Sequence, residues 1–177
     1  VSASNGTCSS GNSAQASATT SACTGGTELI TNGGFETGTT PWVLSGSAFR
    51  STGTYPHSGV AYSYLGNANS VTGTEYQQIA IPTTATGTFT FWLNVTSAET
   101  TTTVQYDKLF VEVRNTSGTL LATLATYSNL NKATAGVYSQ KSLSVAAYKG
   151  QTVRIQLRAT TDASLITTFR VDDVSVK

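Results

Sequence analysis

The sequence predicts an all-β sandwich of about eight to ten strands. Three observations carry that reading: apolar residues recur with period two, Thr and β-branched residues run throughout, and turn signals cut the chain into short pieces. Phe89 to Val95 is the clearest strand, with Phe89, Phe91, Leu93 and Val95 on one face and Thr90, Trp92 and Asn94 on the other. Leu109 to Arg114 and Val153 to Arg158 repeat the alternation. Turns are expected at Asn32-Gly-Gly34, Ser58-Gly59, Gly66-Asn67, Ser117-Gly118 and Lys149-Gly150, a spacing that suits a sandwich rather than a βαβ fold. No window reads as a helix, and no internal repeat of solenoid length is present.

Composition narrows the function classes. Only 11% of the 177 residues are charged and the net charge is +1, whereas Ser and Thr fill 54 positions. The surface is therefore built mostly from hydroxyls and amides. Ten basic residues scattered along the chain make no stripe that could release many phosphate counterions, so nucleic acid is not an expected partner. The apolar runs are strand-sized, well short of the roughly 20 residues that cross a bilayer, which argues against membrane insertion. The opening Val1, with no charged and apolar leader, reads as the start of a mature secreted or cell-surface product.

Residues 1–27 carry no charge and form a separate segment rich in Ser, Ala, Thr and Gly, joined to a sandwich domain over 28–177. Cys8 and Cys23 lie in it, and an isolated pair suits one disulfide made in an oxidising compartment. A bridge between them would close a loop of about 15 residues, worth roughly 3 kcal/mol in the chain-entropy model. Ala14, Ala16 and Ala18 alternate as in an extended strand that could be added to another sheet. Linker and assembly strand both remain open readings of this segment.

The stretch Glu28-Leu-Ile-Thr-Asn-Gly-Gly-Phe-Glu36, then Pro41-Trp42, and the terminal Phe169-Arg-Val-Asp-Asp-Val-Ser-Val176 resemble jelly-roll domains of carbohydrate-binding module families four and nine. Tyr106 to Val113, Leu121 to Asn131 and Ala147 to Ile155 look similar to accessory domains at the C-termini of secreted bacterial peptidases. The resemblance covers residues 28–177 and implies a jelly-roll, galactose-binding-like sandwich with neighbouring first and last strands. It also implies a structural calcium held by Glu36 and Asp172. Asn32 and Asp173 join them as candidates, since calcium takes six to eight oxygens and an Asn-Gly-Gly turn can offer carbonyls.

Catalytic signatures are absent from the sequence: there is one histidine, His57, no Gly-x-Ser-x-Gly elbow, no His-Glu-x-x-His and no phosphate loop. Ser58 beside His57 does not make a nucleophile and base, because neighbours on a strand point to opposite faces. Glu75, Glu99, Asp107 and Glu112 remain as carboxylates, with nothing to pair two of them across a cleft. The chain is read as a non-enzyme. Sugar binding would use Trp92 on the polar side of its strand, with Arg154, Gln156 and Arg158 if they line the same face; the other reading, favoured because Trp is usually buried, packs Trp92 beneath a loop or the N-terminal segment. Tyr62 and Tyr64 share a face that Tyr76 could join, and this row is read as core edge. Two functions follow. The first is an extracellular structural subunit that assembles with its own copies into filaments through residues 1–27; the alternative is a carbohydrate-binding accessory module of a secreted hydrolase.

Overall fold

A computed structural model describes residues 26–177. Cys8, Cys23, Ala14, Ala16 and Ala18 lie outside the described residues. Ten strands form two five-stranded sheets, both antiparallel throughout. The first has the order β1 (Val43–Gly46), β4 (Thr72–Ile81), β9 (Gln151–Thr160), β6 (Lys108–Arg114), β7 (Leu120–Ser128). The second runs β2 (Ala48–Ser51), β3 (Tyr62–Gly66), β10 (Thr167–Val176), β5 (Thr88–Ser97), β8 (Ser139–Ser144). Two three-residue 3-10 turns are the only helical elements among the described residues. The expected turns lie between strands or at a strand end, except Asn32-Gly-Gly34, which turns in the segment before β1.

The alternation read in the sequence sets the core. Phe89, Phe91, Leu93 and Val95 of β5 and Phe169 and Val171 of β10 face Leu109, Val111 and Val113 of β6 and Val153, Ile155 and Leu157 of β9, all fully or nearly fully buried. A one-residue slip would send these side chains to solvent, so pairing register is strongly specified. β9 pairs with β4 over ten consecutive positions, from Thr72↔Thr160 to Ile81↔Gln151, without a bulge. In β10 the register shifts between Asp172 and Ser175, and Asp173 takes φ 47°. That bulge turns successive carboxylates toward one loop.

The chain before β1 closes one end of the sandwich. Leu29 N donates to Val176 O at 2.8 Å, and Val176 N to the Glu28 carboxylate at 3.0 Å, so residues 28–30 run beside the last strand. The Asn-Gly-Gly turn then packs directly on the bulge. Val174 N donates to Gly33 O at 3.0 Å, and a Cβ on Gly33 would lie 1.9 Å from Val174 O. No other residue fits there. Trp42 packs on the buried Phe35 and donates its indole N–H to Asn32 O at 3.0 Å.

One polar pair bridges the two sheets inside this core. Glu75 on β4 and Ser63 on β3 are both completely buried, with the Ser63 hydroxyl donating to Glu75 Oε1 at 2.9 Å. Glu75 Oε2 has no partner. Burial pushes the Glu75 carboxyl up from 4.5 to about 8, and the Ser63 hydrogen bond opposes this only weakly.

Two outcomes are expected. Glu75 binds its proton more tightly folded than unfolded, so its contribution is fully present below about pH 4.5 and is lost as pH rises through about 8. Urea unfolding of the wild type and Glu75→Gln at pH 5, 7 and 9 should show the wild type losing up to a few kcal/mol relative to the variant, at about 1.4 kcal/mol per tenfold change in proton affinity. A pH-independent difference would mean that Glu75 does not hold its proton. Gly33→Ala should lower stability by about 2 kcal/mol or more, measured in the same way, because backbone rather than a flexible side chain blocks the new Cβ.

Candidate functional site

The outer faces of the two sheets differ in what they leave unpaired. On the first sheet, Tyr76, Gln156 and Glu112 lie in one cross-strand row, with Arg158 and Phe110 in the next. Glu112 is fully buried and accepts from Arg158 Nη2 at 2.7 Å, Arg114 Nε at 2.8 Å and Gln156 Nε2 at 3.1 Å. Arg154 caps the Tyr76 ring at 4.6 Å, and Arg158 caps the Phe110 ring at 4.3 Å. This surface is closed largely by its own charge and cation–π pairs, which occupy one face of each ring, with Arg154 Nε the one buried polar atom on it left without a partner among the described residues.

Trp92 does not share that surface. It sits on β5 of the second sheet, whereas Arg154, Gln156 and Arg158 sit on β9 of the first, so the single groove expected from the sequence divides between opposite faces of the sandwich. A loop also lies over Trp92. The His57 imidazole stacks on it with centroids 3.8 Å apart and planes 17° apart, and Tyr138 meets His57 edge-on at 5.5 Å while donating its hydroxyl to Tyr55 O at 2.7 Å. Burial and the neighbouring Asp172 carboxylate push the Tyr138 phenol well above its ordinary range.

The opening on this second sheet lies further along, toward β2. Phe49 on β2 pairs in register with Tyr64 on β3, their rings 5.6 Å apart, and Phe49 is 50% exposed. Beside them is a cavity of about 400 Å³ lined by Phe49, Tyr64, Ser47, Asn67, Val71 and Thr72 together with backbone at Gly46 and Gly66. A second, more polar depression of about 200 Å³ lies on the far side of Tyr64, between Asn67, Thr168 and Arg170. Tyr64 thus separates an apolar hollow from a polar one. Arg170 is held by Asn94 and Thr96 at 3.3 and 2.9 Å. Of the tyrosine row, Tyr76 belongs to the other sheet, the buried Tyr62 borders only the polar depression, and Tyr64 lines both hollows. The sequence reading missed Phe49, although the Ala48-Phe49 alternation puts one residue in and the next out.

Of the carboxylates expected to hold calcium, Asp172 and Asp173 bring an oxygen toward Gly34 of the Asn-Gly-Gly turn, whereas the Glu36 carboxylate reaches the 58–61 bend, where its Oε1 would lie 2.2 Å from a Cβ on Gly59. Asp172, fully buried, accepts His57 N at 2.8 Å, Ser58 N at 3.2 Å and Asp173 N at 2.8 Å. Burial still lifts its carboxyl to about 6 against those bonds. Asp173 takes His57 Nδ1 at 2.6 Å and the Ser58 hydroxyl at 2.8 Å. Glu36 Oε1 accepts Val60 N and Ala61 N, both at 3.0 Å. Asp173 Oδ1, Asp172 Oδ1 and Glu36 Cγ would all lie 3.3–3.7 Å from a Cβ on Gly34. Asn32 does not join them. Its amide donates to Gly38 O at 2.9 Å and its Oδ1 accepts Thr37 N at 3.2 Å, which turns the side chain back onto its own loop.

His57 and Ser58 differ from the strand-neighbour geometry expected of them. Both reach Asp173, because residues 57–60 form a bend rather than a strand. The Ser58 hydroxyl donates to Asp173, so the imidazole is not its base.

Among the described residues, Glu99, Asp107 and Asp162 are the group of three whose carboxylate oxygens all lie within 4.8 Å of one another. Burial first, then the Asp162 and Asp107 charges, raise the Glu99 carboxyl, and Lys132 opposes them. Glu99 and Asp107 entered the sequence reading only as uncommitted carboxylates, since nothing local joins positions 99, 107 and 162.

No family model matches the sequence, and a search of curated proteins gives no match. Solved structures do resemble the fold. TmCBM61, solved with β-1,4-galactotriose, superposes with a TM-score of 0.59 at 15% identity, covering 85% of this chain and 98% of that one. The K1 cleaved adhesin domain of Lys-gingipain from Porphyromonas gingivalis W83 also gives 0.59, at 13% identity over 81% of this chain and 95% of that one. The CBM22-1 xylan-binding domain of Paenibacillus barcinonensis Xyn10C gives 0.51, at 13% identity over 88% and 97%. The expectation of self-assembly finds no support in these likenesses. What this chain shares with carbohydrate-binding modules and adhesin domains is the jelly-roll β-sandwich, in ten strands.

Proposed function

We propose that this chain is a secreted, non-catalytic carbohydrate-binding module whose ligand rests on the Phe49–Tyr64 pair. The observation that carries the reading is an aromatic pair, the exposed Phe49 and the half-buried Tyr64, bordering a hollow of about 400 Å³ with a few polar side chains at its rim. Sugars stack their C–H faces on such rings while hydroxyls find side-chain partners, and a concave apolar site with few polar groups suits that chemistry. Ser47, Asn67 and Thr72 around the larger hollow are uncharged hydrogen-bonding groups suited to glycan hydroxyls, and Thr168 and Arg170 add donors in the polar depression. The guanidinium-capped rings of the first sheet leave less free aromatic surface. The likeness to modules solved with galactotriose or named for xylan binding supports the class of ligand.

The same reading includes a structural calcium at Gly34, held by Glu36 and Asp172 as the family resemblance implies, with Asp173 as a further candidate. The approach of the Asp172 and Asp173 oxygens to a glycine with no side chain, with Glu36 Cγ beside them, supports it.

Affinity electrophoresis and calorimetry against β-1,4-galactan, xylan and cellulose test the glycan site. Binding to at least one polymer should fall tenfold or more, roughly the loss of one stacked ring, in Phe49→Ala and Tyr64→Ala. Arg154→Ala on the opposite face should leave it unchanged. Loss of binding in Arg154→Ala with Phe49→Ala unaffected would move the site to the first sheet, and no binding by the wild type to any polymer would sink the reading.

A further inference from the structure

A second acidic constellation lies at the other end of the strands from the Gly34 turn. Glu99 follows β5, Asp107 precedes β6 and Asp162 follows β9, so both sheets and two long connections contribute to it. Asp107 is fully engaged: it receives the Thr167 hydroxyl on Oδ2 and Asp162 N on Oδ1 at 2.9 Å. Asp162 Oδ1 accepts Ser164 N at 2.9 Å. Glu99 is different. Only 3% exposed, it buries its Oε1 with no hydrogen-bond partner.

An unpaired carboxylate oxygen buried against two further carboxylates is costly unless something positive lies between them. Lys132 is the cation at hand, and its ammonium bonds the main-chain carbonyl of Glu99 instead of the carboxylate. Three carboxylates and one ammonium leave two negative charges uncompensated. The three oxygens lie within 4.8 Å of one another, the separation of two ligands on opposite sides of an ion at about 2.4 Å, inside the calcium range. The donors are oxygen only, which selects a hard cation over zinc.

We propose that Glu99, Asp107 and Asp162 form a calcium site, with Glu99 as the ligand that has no other role. Its ligands are distinct from those at Gly34 and from the residues proposed to touch a glycan. It would also brace a wall of the Phe49–Tyr64 hollow. Ser70 N donates to Asp162 O at 2.5 Å, Val71 N to the Thr161 hydroxyl at 3.0 Å, and that hydroxyl to Ala68 O at 2.8 Å, so residues 68–71 hang from the segment that carries Asp162.

The test is calcium titration by calorimetry on the chain stripped with EGTA, with thermal unfolding in EGTA and in calcium. Wild type, Glu99→Gln and Asp172→Asn are compared. Glu99→Gln should lose one equivalent of bound calcium, or bind it at least about tenfold more weakly, while melting in EGTA no lower than wild type. Asp172→Asn should retain that equivalent whatever it does to the Gly34 site. Should Glu99→Gln fail to fold, Asp162→Asn replaces it, since Asp162 is only half-buried. Calcium binding unchanged by Glu99→Gln overturns the proposal. So does a wild type that binds no calcium, the result expected if Glu99 instead shares a proton with its neighbours.

Discussion

Closure of two apolar sheet faces on each other decides the direction of nearly every side chain in this sandwich. Phe89, Phe91 and Leu93 of β5 and Val153, Ile155 and Leu157 of β9 must point inward together, and the period of two then sends Trp92 and Arg154 outward from opposite sheets. At about 25 cal/mol per Å² of apolar surface removed from water, a dozen such residues outweigh any single polar contact at the surface. The polar features are therefore placed by the core. Glu75 shows the strength of that constraint, since it is carried inside by the alternation of β4 and is left with one partner and a raised affinity for its proton.

Polar function is then confined to three kinds of place. The first sheet presents an outer face closed by the Glu112 network, with guanidinium groups over its rings. The second sheet is covered over Trp92 by the His57 loop and open over Phe49 and Tyr64. The loop ends collect carboxylates, at Gly34 from the turn and the β10 bulge, and at Glu99 from connections on both sheets. In a chain with nine acidic residues, six gathered at two loop clusters are the main concentration of negative charge.

The two clusters differ in how they are satisfied. Around Gly34 the carboxylates receive N–H groups from residues 57–61, so they order a loop as they converge. Around Glu99 one oxygen receives nothing. A cation at the first would add to an existing hydrogen-bonded clamp, whereas at the second it would complete an unbalanced one. The Glu99 group also lies toward the end of the molecule that carries the open aromatic pair, which links fold stability to the shape of the proposed ligand surface.

The sequence by itself determined the fold class, the strand alternation from Phe89 to Val95 and from Val153 to Arg158, and the turn positions. These follow from local period and from motif positions, which need no knowledge of pairing. It did not determine that Trp92 and Arg158 lie on opposite sheets, that His57 covers Trp92, or that Asn32 turns back on its own loop. Those depend on strand order and on loop paths, which period-two patterns leave free. Phe49 with Tyr64, and Glu99 with Asp107 and Asp162, are separated by 15 and up to 63 residues, and only the pairing of β2 with β3 and the packing of the two sheets bring each set together. Tertiary structure decided the sites because a ligand meets side chains at a common place, whereas the sequence orders them only along a line.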